Sequence, residues 1–211
     1  LSYTIIENIV PISIQDQLED MFQYQTKWNY VSFTSGNDEG QLGLDPLIKE
    51  CPQLIHQPGH IENPDSDSFA LTSMLLVFLE SISGGKVGSI HKIKVNMNLL
   101  DTSFKGKYHP PHADHKSNDY FSLIYYIKDS DGPTRFFNKT TRDPNPYKDL
   151  KIVGEVEPKK GRAILFKSNQ MHTGTCPQET ENRLVINYVF KAENLKLDFQ
   201  KTNSTTVRYI A

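Results

Sequence analysis

Apolar side chains recur at Ile14, Leu18, Met21 and Phe22, close to the 3.6-residue period of a helix with one buried face. They predict an amphipathic helix over 12–30, with Ser13 or Asp16 available to cap its start. A Gly- and Asp-containing loop (35–43) follows, and the Pro-punctuated stretch from Pro46 to Pro64 reads as short helix or turns. A second helix is expected over 67–81, where Phe69, Leu71, Leu75, Leu76, Phe78 and Leu79 are too many for one exposed face and imply packing under a sheet. After Gly84-Gly85 the pattern shortens to β-type runs at 89–99, 120–127, 134–137, 152–156, 162–166 and 183–190, the spacing of a sandwich or barrel. The runs 120–127 (YFSLIYYI) and 184–190 (LVINYVF) are apolar on both alternating faces, as in strands covered on both sides. Period two sets Ser122, Ile124 and Tyr126 on one face and Leu123, Tyr125 and Ile127 on the other. The expected organisation is a single mainly-β domain with N-terminal helices: a helical opening region (1–88), a β core (89–190) and a C-terminal extension (191–211).

Composition narrows the function classes. A formal net charge of −2 gives no basic stripe for coating duplex nucleic acid. The longest apolar run, MLLVFL at 74–79, is far shorter than the roughly 18 residues of a membrane span. The first residues lack the basic start and small-residue cleavage site of a secretory signal, so a cytoplasmic location is expected. Cys51 and Cys176, without any CxxC, fit a reducing compartment and read as plain thiols, one bridge being open to them only if the fold brings them together.

The chemistry begins at YHPPHADH (108–115). In a strand, side chains two apart point the same way, so His112 and Asp114 can reach one ion while His115 points elsewhere. Two histidines and one carboxylate with open positions suit non-haem Fe(II). His172, in the polar turn SNQMHTG, supplies the second histidine. Arg183 heads a strand of buried residues, and a buried guanidinium needs an anion: either an Asp or Glu partner or the carboxylate of a ligand. Tyr126, inside a two-sided apolar strand, must find a partner for its hydroxyl or be ordinary core. His56 and His60 (HQPGH) have a metal-like spacing, but Pro58-Gly59 turns the chain between them and disfavours zinc there with Cys51. Cys176 has no evident paired base and reads as inert; Lys116, Asp119 and Arg135 lie near the expected mouth and read as solvated surface. No GxSxG, Walker or GxGxxG motif is present.

The order of strand, HxD, aromatic strand, DGPT turn, GRAILF strand, His and then Arg resembles the Fe(II)/2-oxoglutarate oxygenase superfamily, and most of all its prolyl-hydroxylase-like members, including small ones of bacteria and marine bacteriophages. The likeness runs from about His91 to Phe190, and VPISIQDQLEDMFQ…KWNY is similar to the helical opening of the phage-type group, whose location would be the host cytoplasm. The resemblance implies a double-stranded β-helix (jelly-roll) core with Fe(II) on His112, Asp114 and His172. It implies Arg183 and Tyr126 on the distal carboxylate of 2-oxoglutarate, Asn187 facing the cosubstrate or metal, and Asn98 as a further cofactor contact. The activity implied is O2-dependent hydroxylation of a C–H bond in an amino acid or peptidyl-prolyl-like substrate, giving succinate and CO2, with ascorbate supporting turnover. Asp131-Gly132-Pro133-Thr134 stands where prolyl-hydroxylase-like relatives commonly carry GG, which counts against a prolyl peptide. Two rivals remain: a non-catalytic jelly-roll that binds a metal or ligand, and a zinc hydrolase on the same three ligands, which leaves Arg183 unexplained.

Overall fold

The structure, a computed structural model, describes residues 3–33, 46–60, 63–64, 66–195 and 206–208. The expected loop at 35–43 and most of the 191–211 extension lie outside the described residues. In chain order the elements are β1 (Tyr3–Glu7), α1 (Ile12–Asp20), β2 (Asn29–Val31), β3 (Gln53–His56), β4 (Gly59–His60), β5 (Asn63–Pro64), α2 (Ser66–Ser83) and β6 (Lys86–Leu99). Then come β7 (Tyr120–Tyr126), β8 (Thr134–Thr140), β9 (Ile152–Val156), β10 (Ala163–Lys167), β11 (Gln170–Thr173), β12 (Asn182–Glu193) and β13 (Thr206–Arg208).

Two sheets carry the site, antiparallel throughout except for the parallel pairing of β1 with β13. The large one runs β13-β1-β10-β7-β12-β6-β3-β2 and the small one β11-β8-β9, the facing-sheet arrangement of a jelly-roll. Alternation along the central strands sorts side chains to opposite faces. Ile93, Val95, Met97, Leu123, Tyr125, Ile127, Leu184, Ile186 and Tyr188 join Leu18, Phe22, Leu75 and Leu79 of the helices in the main core. Ile124, Tyr126 and Val185 turn the other way, toward Phe136 of the small sheet. Tyr188 Oη donates to the carbonyl of Thr72 at 2.9 Å, tying α2 to the sheet it covers. Among the described residues no helix is long and apolar enough to cross a membrane.

Several expectations are corrected. The first helix stops well before Tyr30: α1 passes into a single π turn, Met21–Gln25, and Thr26 is extended with its hydroxyl donating to the Met21 carbonyl at 2.9 Å. Neither Ser13 nor Asp16 caps α1. The cap position is Pro11, whose carbonyl accepts from Ile14 and Gln15, and Asp16 pairs with Lys160 at 2.6 Å. The stretch from Pro46 to Pro64 forms strands, because β3 finds an open edge of β6 to pair with. β1 was not anticipated; it pairs with β10 and extends the large sheet.

Candidate active site

His112 and His172 meet through an isolated antiparallel bridge, each backbone N–H donating to the other's carbonyl at 2.9 and 2.8 Å. This pairing corrects two expectations. His172 lies in β11 and not in a turn, and the HxD pair lies on an extended bridge segment and not in a strand. The bridge brings the two imidazoles to 4.6 Å between centroids. Asp114 reaches between them, its carboxylate oxygens 3.9 Å from His112 Nε2 and 3.6 Å from His172 Nε2. Donor atoms of the three residues all lie within 4.8 Å of one another.

Surrounding groups orient each donor. His172 Nδ1–H donates to the Gln170 carbonyl at 3.0 Å, a tautomer that leaves the Nε2 lone pair toward the centre. His112 Nδ1 lies 3.3 Å from the Pro110 carbonyl in the same sense. Ser122 Oγ donates to Asp114 Oδ2 at 2.6 Å and leaves the other oxygen uncommitted. Burial, and then the neighbouring His172, push His112 down to about 3, so it is a neutral donor at ordinary pH. Burial alone would raise Asp114, but His172, His112, Lys92 and the Ser122 hydroxyl outweigh it and hold the carboxyl below its usual range. Neutral imidazoles and an ionised carboxylate are the protonation states that a divalent cation requires.

A cavity of about 510 Å³, including its open mouth, runs from His112 and His172 to Arg183. Arg183 is 5% exposed, and among the described residues no carboxylate pairs with it. Its Nε donates to the Gly132 carbonyl at 2.6 Å and its Nη2 to Thr134 Oγ1 at 2.8 Å. A Cβ on Gly132 would sit 2.9 Å from Arg183 Cδ, which gives the glycine of the DGPT turn a packing reason. Tyr126 lies beside the guanidinium, 5.7 Å from ring to Cζ, but does not line the cavity; its hydroxyl donates to Thr134 Oγ1 at 2.6 Å. Thr134 therefore stands between Tyr126 and the cavity.

Asn98 and Asn187 both line the cavity, paired in register with Arg183 and Lys94 respectively. Asn98 Nδ2 and Asn187 Oδ1, and with them Asn96 Oδ1, are buried without a hydrogen-bond partner among the described residues. Asn98 Nδ2, an orphaned donor on the strand pair that carries Arg183, fits a ligand carboxylate beside the guanidinium, whereas Asn96 Oδ1 and Asn187 Oδ1 are acceptors that a ligand hydroxyl or N–H would satisfy.

Thr134, Lys94, Asn96, Gln53 and His109 also line the cavity and were not anticipated. Lys94 and Asn96 were within reach, since period two from Asn98 along β6 puts them on the same face. Burial, then Lys92, pulls Lys94 down to about 8. His115 points away, its Nδ1 accepting from Ser117 N and its ring 3.8 Å from that of Tyr120. Lys116, Asp119 and Arg135 do not line the cavity; Arg135 pairs with Glu155 at 2.6 Å. His56 contacts Ser68 Oγ and the Lys27 carbonyl, and the side chain of His60 lies outside the described residues. Cys176 is corrected: it has a base beside it, His109 Nε2 at 3.8 Å, and Cys51 packs against both.

Residues 97–191 match the sequence profile of the 2OG-Fe(II) oxygenase superfamily. A search of curated proteins finds no match. Among solved structures, the chain resembles the epimerase SnoN in complex with Fe3+, alpha ketoglutarate and nogalamycin RO, with TM-score 0.58 and 12% identity over 90% of this chain and 80% of that one. It resembles a prolyl hydroxylase from Trichoplax adhaerens in complex with a hypoxia inducible factor peptide fragment, with TM-score 0.54 and 15% identity over 90% and 83% of the two chains. It also resembles a Pseudomonas putida prolyl-4-hydroxylase, with TM-score 0.51 and 15% identity over 90% and 92%. At such identities the structural likeness speaks for the fold.

Proposed function

We propose that this chain, whose residues 97–191 match the 2OG-Fe(II) oxygenase superfamily, is such an oxygenase, built as one domain, and hydroxylates a C–H bond of an amino acid or a peptide side chain. His112, Asp114 and His172 would hold the Fe(II), and Arg183 would hold the far carboxylate of 2-oxoglutarate. When bound together, Fe(II), 2-oxoglutarate and O2 supply the oxidising power, with succinate and CO2 as co-products.

The chain's own residues bind, orient and exclude water. His172 Nδ1–H, held by the Gln170 carbonyl, keeps Nε2 aimed at the ion, and Ser122 fixes the rotamer of Asp114. Arg183 offers the guanidinium edge left over from Gly132 and Thr134. Thr134 Oγ1 accepts from Tyr126 and Arg183, so its own proton is available to a ligand carboxylate. Tyr126 thus acts on the guanidinium both directly and through Thr134. Asn98 and Asn187 supply amide groups to the bound molecule, and Lys94 gives the cavity a cation suited to an acidic substrate group.

The observation that carries this reading is Arg183, buried without a carboxylate partner among the described residues and lining the same cavity as His112 and His172. A zinc hydrolase on the same ligands has no use for it. Purified protein given Fe(II), ascorbate and 2-oxoglutarate is expected to form succinate, stimulated by one of a panel of free amino acids and prolyl peptides. Asp114→Ala is expected to abolish both iron binding and turnover. Undiminished iron affinity in that variant, or zinc as the bound metal after anaerobic purification, would overturn the assignment.

A further inference from the structure

Cys51 and Cys176, 125 positions apart, lie with their sulfurs at 3.1 Å. Both are buried, at 6% and 1% exposure, and they cluster with Phe104. The imidazole of His109 lies against the pair, Nδ1 3.8 Å from Cys51 Sγ and Nε2 3.8 Å from Cys176 Sγ, with Phe104 packed on its ring. Two sulfurs and an imidazole are also a zinc donor set. Two thiolates on one tetrahedral zinc, at Zn–S of about 2.3 Å, stand roughly 3.8 Å apart, wider than this pair. The separation observed suits a bond between the sulfurs better than an ion between them.

The two thiols are not equivalent. The hydrogen bond from Cys176, more than the nearby His109, lowers Cys51 to about 5, and the same contact pushes Cys176 up. Cys51, at 6% exposure against 1% for Cys176, is the sulfur a small oxidant reaches first, which assigns it as the nucleophile and Cys176 as the resolving thiol. His109 lines the cavity, which gives a small oxidant a route to the pair.

The pair also sits against the cavity wall next to Arg183. His109 N donates to the Gly174 carbonyl at 3.0 Å, and Thr173 Oγ1 donates to the His109 carbonyl at 2.6 Å. Gly174 is packed so closely on Arg183 that an added Cβ would lie 3.4 Å from its Cζ. Cys176 follows Gly174 by two residues, and Cys51 precedes Gln53 of the same wall by two.

We propose that Cys51 and Cys176 are a dithiol site which hydrogen peroxide oxidises to an intrachain disulfide, and that the bond shifts the cavity wall behind Arg183. The Cys51 thiolate attacks one peroxide oxygen, the O–O bond breaks, the sulfur becomes a sulfenic acid, and the departing hydroxide takes up the proton that Cys51 had released, leaving as water. Cys176 sulfur then attacks Cys51 sulfur, the S–O bond breaks, and the S–S bond forms. The Cys176 proton passes by way of His109 to the departing hydroxyl as water. Two thiols are oxidised by two electrons and one peroxide is reduced to two waters. The disulfide itself is independent of the proposed function; only its effect on 2-oxoglutarate rests on that reading.

The test uses the full chain, reduced, freed of reductant and then exposed to hydrogen peroxide. The expected product is lighter by two hydrogens, yields one linked peptide pair containing Cys51 and Cys176, and loses both alkylatable thiols under denaturant until dithiothreitol restores them. Cys51→Ser should form no intrachain link. Thiols that remain alkylatable, sulfurs that gain oxygens without linking, or stoichiometric zinc released from the reduced protein by a thiol reagent would each overturn the proposal. For the coupling, 2-oxoglutarate is titrated into the Mn(II)-loaded protein in both redox states. Affinity should fall several-fold on oxidation and recover on reduction. Equal affinities would remove the coupling, whereas no binding by either form would count against Arg183 as the cosubstrate seat and leave the disulfide standing.

Discussion

A buried guanidinium costs several kcal/mol unless paired, and the partners of Arg183 among the described residues are neutral: the Gly132 carbonyl, the Thr134 hydroxyl and the Tyr126 hydroxyl. Removing its charge while keeping its length should therefore harm binding more than folding. Arg183→Met is expected to weaken 2-oxoglutarate binding by about 10- to 100-fold, the equivalent of the roughly 1.5–3 kcal/mol of a charged hydrogen bond, with metal affinity unchanged. Titration of 2-oxoglutarate into Mn(II)-loaded protein reads this directly; an unchanged affinity would remove Arg183 from the cosubstrate site. Thr134 offers a second comparison, since its Oγ1 accepts from both Tyr126 and Arg183. Thr134→Val strands two buried donors and should cost about 1–3 kcal/mol in urea unfolding, more than Tyr126→Phe, which removes donor and demand together. Equal costs would mean that the shared acceptor carries no weight. The importance of Thr134 was not legible in the sequence, because a threonine after a DGP turn has no periodic signature. Arg183 was legible, because a cation heading an apolar strand is an anomaly that burial must resolve.

Strand alternation was the most legible feature of the fold: a period of two along β7 separated Leu123, Tyr125 and Ile127 from Ile124 and Tyr126, leaving Ser122 on the side where it meets Asp114. What escaped was set by pairing partners and not by the segment's own pattern. β11 is a four-residue strand that exists because Gln170, His172 and Thr173 pair with β8, and β3 exists because β6 offers it an edge. The turn into β12 shows how a connection positions a functional residue. Asp131 accepts from the backbone N–H groups of Gln178, Glu179 and Thr180 at 2.8, 3.0 and 3.0 Å, and from the Thr180 hydroxyl at 2.8 Å. Burial would raise its carboxyl, but these donors outweigh it and hold it below the ordinary value. A carboxyl lowered in the folded state stabilises fully above the unfolded value of about 3.9, and that contribution disappears as pH falls through the folded value. Asp131→Ala should thus cost about 1 kcal/mol near neutrality, and the gap between variant and wild type should close in acid. Urea midpoints measured across that pH range test it; a gap that stays constant would show that the turn does not depend on the ionised carboxylate.

The proposed metal ligands and Arg183 belong to different parts of the molecule. His172 stands on the small sheet with His112 bridged to it, and Arg183 stands on β12 in the large sheet, where it pairs with β6 and β7. That assembly was not legible along the chain, since the pairings of β1 with β10 and of β12 with β6 join distant segments and nothing local encodes them. The order of His112, Asp114, His172 and Arg183 was legible, and the fold brings His112, His172 and Arg183 to one cavity, with Asp114 beside the two histidines. An ion and a dicarboxylate bound there would tie the two sheets together and favour the folded state by mass action. At 100 times its dissociation constant, each ligand should add about 2.7 kcal/mol, or about 5–10 °C in melting temperature for a chain of this size. Mn(II) followed by 2-oxoglutarate should raise the melting temperature in two steps, and a chelator should reverse both. Asp114→Ala should lose both steps, because without the ion the cosubstrate has only its distal grip. Arg183→Met should keep the first step and lose most of the second. If 2-oxoglutarate stabilised the protein equally with and without metal, the two ends of the cavity would be separate binding sites, and the reading of a single bridging cosubstrate would fail.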